Sequence, residues 1–239
     1  MPPSNVKPPV CRRRRRAELA AAALLASGAT GAAEVAGYVA LTSDYVFRGV
    51  SYGEPAAQIA LDVAGERGWY AGGWASTVDI DSGPGRRRDR QVNYYAGYTH
   101  AVSAVWSVGG NVVAYTFPGT DGPVDYDHVE YTFSLNYRDN VWLEYAYSPD
   151  LYHTGDPSRH AELYGEWPLG GYGVGIGIGH YDVSALTGQD YLHWQAGLSR
   201  RLGRATIDLR YHDTSRWVPV VSSPRRAGAR IAVSVIIDF

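Results

Sequence analysis

Arg230-Ile231-Ala232-Val233-Ser234-Val235-Ile236-Ile237-Asp238-Phe239 is the stretch whose reading decides the fold. Every odd position from Ile231 to Phe239 is apolar, and the even positions include Ser234 and Asp238. A side-chain period of two belongs to a β-strand, because successive residues point to opposite faces. One face is therefore fully apolar, and it finishes on an aromatic ring. Two structures use such a strand. One is the closing strand of a soluble sandwich. The other is the last strand of a bacterial outer-membrane barrel, where a terminal residue such as Phe239 is the signal read by the barrel assembly machinery.

The same period runs back to Val35, in segments of about ten residues separated by turn residues. Twelve segments can be read. The first is predicted over Val35 to Arg48, with Val39, Leu41, Tyr45 and Phe47 on one face. The second carries Ala57, Ile59, Leu61 and Val63, the third Tyr70, Trp74 and Val78, the fourth Val92, Tyr94, Ala96 and Tyr98. The fifth, Val105 to Phe117, allows either parity. Val129 to Tyr137 and Val141 to Tyr147 alternate cleanly; Ala161 to Trp167 does so more weakly. In the ninth segment Tyr172, Val174, Ile176 and Ile178 alternate with Gly173, Gly175, Gly177 and Gly179. Glycine weakens a strand unless something needs the space. Either a bulky group occupies the interior at that wall, or the strand is strongly bent and closely packed. Leu192 to Leu198, Ala205 to Tyr211 and the terminal stretch complete the set.

The connections alternate short and long. Gly65 to Gly68, Ala101 to Ala104, Arg138 to Asn140, Pro168 to Gly171 and Arg201 to Arg204 are short. Asp79 to Arg90, Pro118 to Asp125, Pro149 to Arg159, Tyr181 to Gln189 and Asp213 to Arg226 are long. Outer-membrane barrels have short periplasmic turns and longer outside loops, and an even strand count leaves both termini periplasmic. A soluble sandwich has no reason for so regular an alternation.

Composition agrees. There are 19 Tyr and 7 Trp against 4 Phe, together with 28 Gly, which suits aromatic girdles and turns. Mean hydropathy is −0.25, too polar for a helical membrane protein, and no run of about 18 apolar residues occurs. The amino terminus reads as a signal peptide over residues 1–33: Lys7 and Arg12 to Arg16 are basic, Leu19 to Ala26 form a short apolar core, and Gly31-Ala32-Ala33 offers small residues for cleavage before Glu34. The barrel would then span residues 34–239. Loss of the leader removes Lys7, Arg12 to Arg16 and Glu18, leaving 16 basic against 23 acidic side chains, a formal charge of −7. It also removes Cys11, the one cysteine, which excludes disulfides and thiolate chemistry, and the basic run, which argues against nucleic-acid binding.

No catalytic constellation stands out. Ser158, His160 and Glu162 lie close, but alternation alone puts polar residues on one face. His128, His160, His193 and His212 share interior parity, yet no spacing singles out a metal site, and water-exposed lumen histidines are expected. Arg86, Arg87 and Arg88 fall in a predicted outside loop and could pair with lipopolysaccharide phosphates or be solvated.

Thr42-Ser43-Asp44-Tyr45-Val46-Phe47-Arg48-Gly49-Val50-Ser51 resembles the opening signature of the TorF-type porins of proteobacteria, a group also known as the Gcw_chp family of uncharacterised proteins. Trp69-Tyr70-Ala71-Gly72-Gly73-Trp74-Ala75-Ser76, Tyr95-Ala96-Gly97-Tyr98, Tyr115-Thr116-Phe117-Pro118-Gly119 and Glu144-Tyr145-Ala146-Tyr147-Ser148 resemble later motifs in the same order. The arginines at Arg86 to Arg90 and Arg225-Arg226 depart from the family's acidic loops. The resemblance implies an outer-membrane location and a channel role, without a substrate.

The expectation is an all-β chain: a transmembrane, antiparallel, up-and-down β-barrel of about twelve strands in a Gram-negative outer membrane. It would be a porin passing small polar or ionic solutes, in contact with outer-membrane lipid and lipopolysaccharide, with no cofactor. Parity places Asp44, Asp62, Glu130, Glu144, Glu162, Glu166, Asp208 and Asp238 toward the lumen, with Arg48, Arg210 and Arg230. The acid excess suggests a weak cation preference. The alternatives are a partner-binding barrel with a filled lumen, in which pairs such as Arg48 with Glu130 obstruct the pore, and an outer-membrane lipid-modifying enzyme.

Overall fold

A computed structural model describes residues 33–80, 87–119 and 124–239. The leader and the tip of the loop after Ile80 lie outside the described residues. The strands are β1 (Glu34–Thr42), β2 (Tyr45–Phe47), β3 (Val50–Gly53), β4 (Ala56–Ala64), β5 (Trp69–Ile80), β6 (Arg87–Ala101), β7 (Trp106–Thr116), β8 (His128–Tyr137), β9 (Val141–Ser148), β10 (Ser158–Leu169), β11 (Tyr172–Asp182), β12 (Asp190–Leu202), β13 (Ala205–Thr214) and β14 (Arg230–Asp238). A short α-helix, α1 (Ser184–Thr187), interrupts a long loop.

Strands β1 and β4 to β14 close into a twelve-stranded antiparallel barrel, each paired with its neighbour in sequence. The seam joins β1 to β14, from Tyr38 opposite Asp238 to Thr42 opposite Ser234. Phe239 adds two backbone hydrogen bonds, its N–H to the Gly37 carbonyl and the Gly37 N–H to its own carbonyl, each 3.0 Å. Closure leaves no barrel edge unpaired, which a sheet in lipid requires.

The outer surface is apolar. Phe133 is 63% exposed and Ile231 64%, and Leu61, Leu143, Ile176 and Leu209 also face outward. A water-soluble sandwich would bury such a belt; a lipid-facing barrel presents it. Outward aromatic pairs mark the short-turn end: Trp69 against Tyr98 at 4.8 Å and Trp106 against Tyr137 at 4.7 Å between ring centroids. Tyr131 and Tyr147 are cross-strand partners nearer the long loops. These are the rings expected at the two membrane interfaces. The fold and its apolar belt place the protein in an outer membrane.

Three expectations need correction. The first segment is not one strand. β1 stops at Thr42, where Thr42 Oγ1 donates to the Asp44 carbonyl at 2.8 Å and the chain turns inward. Tyr45 and Phe47, expected to continue the apolar face of Val39 and Leu41, instead form a separate hairpin, β2–β3, inside the barrel. The third segment keeps its strand, but Trp74 and Val78 face the interior, at 1% exposure each, while Trp69 faces out. The arginine-rich stretch is also not all loop, since Arg87 to Arg90 pair with β5 along its length to Ile80. The fifth segment resolves to odd positions inward: Val113 and Tyr115 are buried, Val108 and Val112 exposed.

Candidate functional site

The interior divides along the barrel axis. Its long-loop half is packed. The β2–β3 hairpin turns through Arg48 (φ 49°) and Gly49 (φ 79°). Two successive positive φ values make the turn that matches strand twist in a two-residue hairpin. A side chain at Gly49 would strike Thr214 Cγ2 and His193 Cβ, so the hairpin tip seats on the inner wall made by β12 and β13. Tyr45 meets Trp74 at 5.3 Å between ring centroids, and Phe47 meets Tyr115 at 6.0 Å. Val50 packs with Leu151, Tyr181, Val183, Tyr191 and Val218, which belong to β11, β12 and three of the long loops. These loops thus fold over the hairpin rather than standing clear of it.

Charged groups latch the hairpin. Arg48 donates from Nη1 and Nη2 to the two carboxylate oxygens of Glu130 at 2.7 and 2.8 Å. The side chains are 5% and 2% exposed, so the pair is dry. The Arg48 guanidinium also lies over the rings of Phe47 and Tyr181 at 4.7 and 4.6 Å. At the hairpin's base, Arg230 Nη1 reaches Asp44 Oδ2 at 2.8 Å, and Ser51 Oγ donates to Asp44 Oδ1 at 2.6 Å. Above this, His153 Nδ1 lies 2.9 Å from Asp125 Oδ2, joining two outer loops. The Asp127 backbone N–H, and then His153, hold the Asp125 carboxyl below its ordinary range.

The short-turn half is polar and mixes half-exposed with buried groups. Tyr70, Asn111, Ser134, Glu144 and Glu166 keep partial exposure on interior positions. Below the hairpin, Arg210 donates to both oxygens of Asp208 at 3.1 and 2.9 Å and to Tyr164 Oη at 3.2 Å. Asp62 accepts from the Tyr95 hydroxyl, and Glu166 accepts from Tyr164 Oη at 3.3 Å. Glu144 and Glu162 are direct cross-strand partners on β9 and β10.

The residues that parity assigns to the lumen are buried or half-buried, and several sit in ion pairs. Asp44, Glu130 and Asp208 face arginines, and Asp238 faces Arg201 at 3.2 Å. Arg48 comes from the inserted hairpin rather than from the wall. The histidines depart from expectation: His128, His160, His193 and His212 are buried, not water-exposed. His160 Nε2 and His193 Nε2 face each other at 2.9 Å, with the rings stacked at 5.1 Å. Glu162 Oε2 is 4.0 Å from His160 Nε2, and Glu162 Oε1 accepts from Gln195 at 2.7 Å. Glu162 and His193 are both register partners of Gly179, the residue of β11 that lies between them.

The glycine face of β11 explains this convergence. A Cβ at Gly179 would collide with the His193 ring, and one at Gly175 would collide with the Tyr164 hydroxyl and lie 3.2 Å from Arg210 Nη1. Of the two readings of the alternating glycines, the interior is occupied by bulky side chains at that wall.

The profile of the family described as "Bacterial protein of unknown function (Gcw_chp)" matches residues 26–236. Comparison with the curated proteins finds no match. Among solved structures, the KdgM porin is similar with a TM-score of 0.53 and 10% identity, over 87% of this chain and 99% of that one. The KdgM porin in complex with disordered oligogalacturonate gives 0.52 and 10%, over the same shares. At such identity the likeness is one of fold.

Proposed function

The chain belongs to the Gcw_chp family of bacterial proteins of unknown function, and for this member we propose an outer-membrane channel for small polar or ionic solutes, closed by its own β2–β3 hairpin. The observation that carries this reading is the division of the interior. The half toward the short turns carries polar, half-exposed side chains, and one short hairpin with a buried ion pair fills the other half. A buried ion pair is weak evidence for stability, since apolar residues of similar volume often serve as well or better. It does supply a bond that can be exchanged for water when the hairpin moves.

The acid excess supports a cation preference in the open state. Arg48, Arg210 and Arg230 each face a carboxylate, so none offers a spare charge to an anion. Glu144 and Glu162 lie side by side on β9 and β10. The oligogalacturonate held by the similar porin carries carboxylates, and this interior is poorly suited to such a solute.

A second reading, a scaffold barrel with a permanently filled lumen, draws support from the burial of Tyr45 and Val50. Planar-bilayer recording of the refolded barrel separates the two. The channel reading expects rare openings that become frequent when the hairpin is loosened, with reversal potentials showing cation preference in a salt gradient. Neutralising Glu144 and Glu162 to Gln should reduce that preference. Silence from both the wild type and a loosened variant, each shown to be folded, would leave the scaffold.

A further inference from the structure

We propose that His160, His193 and Glu162 form an interior binding site for one divalent first-row transition-metal ion, such as Zn²⁺. The site is independent of whether the barrel conducts. The donor set is two imidazole nitrogens and a carboxylate, the ligands that such ions take in catalytic and structural sites alike. The candidate ligand atoms all lie within 4.8 Å of one another.

The spacing of the nitrogens is telling. Metal–nitrogen bonds of about 2.0–2.1 Å put two nitrogens on one ion about 2.9–3.4 Å apart, for angles between a right angle and the tetrahedral value. The two Nε2 atoms are 2.9 Å apart. Without an ion, one imidazole must donate to the other, which leaves the donor ring's Nδ1 as a bare acceptor. With an ion between the rings, both Nε2 atoms present lone pairs to it and each Nδ1 carries the proton. Glu162 Oε2 lies 4.0 Å from His160 Nε2, and Gln195 holds its Oε1 at 2.7 Å. Outer-shell bonds of that kind orient ligating carboxylates.

Charge fits as well. Arg48, the guanidinium over Tyr181, is neutralised by its two bonds to Glu130. Glu144, opposite Glu162 and half-buried, adds a second carboxylate beside the site. An ion held by the imidazoles therefore has two neighbouring carboxylates on β9 and β10. The β11 glycine is what makes the site possible, because a side chain at Gly179 would fill the space between β10 and β12.

Refolded full-length barrel in detergent, titrated with Zn²⁺ by calorimetry and with Co²⁺ by visible absorption, tests the site. One ion per barrel is expected. His193→Ala and Glu162→Gln should each weaken binding at least tenfold while keeping the heat-modifiable folded band. A surface control removes His153 and His180, which pair with Asp125 and Asp190 on the exposed loops and strand ends. That double His→Ala variant should bind as wild type. X-ray absorption of the zinc-loaded wild type, which needs no variant, should show two imidazoles in a nitrogen and oxygen shell. No binding by the wild type, binding lost with the surface pair instead, or a shell without two imidazoles would overturn the proposal.

Discussion

Replacing Glu130 by alanine is the most direct test of a hairpin gate. In the closed barrel the Arg48 guanidinium is 5% exposed, and both of its carboxylate bonds go to Glu130. Truncation strands that charge in a dry site beneath the outer loops. Breaking a buried pair from one side costs about 3–5 kcal/mol, because the remaining charge is uncompensated. The penalty falls only on the closed state if Arg48 reaches water when the hairpin lifts. At 1.4 kcal/mol per factor of ten, the closed-to-open ratio drops roughly 100- to 4,000-fold. The Arg230–Asp44 pair and the Tyr45–Trp74 contact remain, so the hairpin should open often rather than unravel. Single-channel recording should show open probability rising toward saturation, with the conductance of each opening unchanged. The double variant Arg48→Leu with Glu130→Leu should close again, since an apolar pair of similar bulk replaces the ion pair without leaving a charge behind. Equal open probability in the wild type and Glu130→Ala, with both folded, would refute the latch. So would a double variant that opens as readily as the single one.

Three other outcomes follow from the barrel. Phe133→Arg puts a charge on the lipid belt and should cost about 2–4 kcal/mol near the midplane, whereas Ser134→Arg faces the polar interior and should be mild; equilibrium unfolding in denaturant and lipid reports both, and equal costs would contradict the register. Gly175→Val should fail to form the heat-modifiable band, because its side chain would occupy the place of the Tyr164 hydroxyl and crowd Arg210, while Tyr164→Ala in the same background should restore it. Deleting Phe239 removes two seam hydrogen bonds to Gly37, worth about 1 kcal/mol each; a loss of assembly in cells much larger than the loss of stability in vitro is expected if the residue is also an assembly signal, and normal assembly would argue against that role.

How far the sequence could be read depends on which side a residue faces. The lipid side is simple chemistry, because it accepts almost nothing but apolar side chains. Alternation at Val129 to Tyr137, Val141 to Tyr147 and Ile231 to Phe239 therefore predicted both strand and facing, and the short and long connections predicted topology. The failures came where an interior residue is also apolar. Trp74 and Val78 look like a lipid face, but they pack against the hairpin. Tyr45 and Phe47 continue the parity of Val39 and Leu41 across Ser43, and nothing in periodicity marks the inward turn there. The available signals were local. Arg48-Gly49 is a turn dipeptide inside a supposed strand, and Thr42-Ser43-Asp44 is a cluster of residues that hydrogen-bond their own backbone.

The histidine cluster was hidden for a different reason. Its members lie 33 positions apart, on strands that are not neighbours, so no spacing rule for metal ligands on one strand or helix could join them. The visible trace was in β11, where four glycines alternate with Tyr172, Val174, Ile176 and Ile178. Each glycine leaves room for the flanking strands to send side chains over the top of the middle one. Read that way, the row Glu162–Gly179–His193 follows once β10, β11 and β12 are set in consecutive antiparallel register. A glycine face in a barrel strand thus predicts contacts between its two neighbours, and here it joins a carboxylate to an imidazole across the interior.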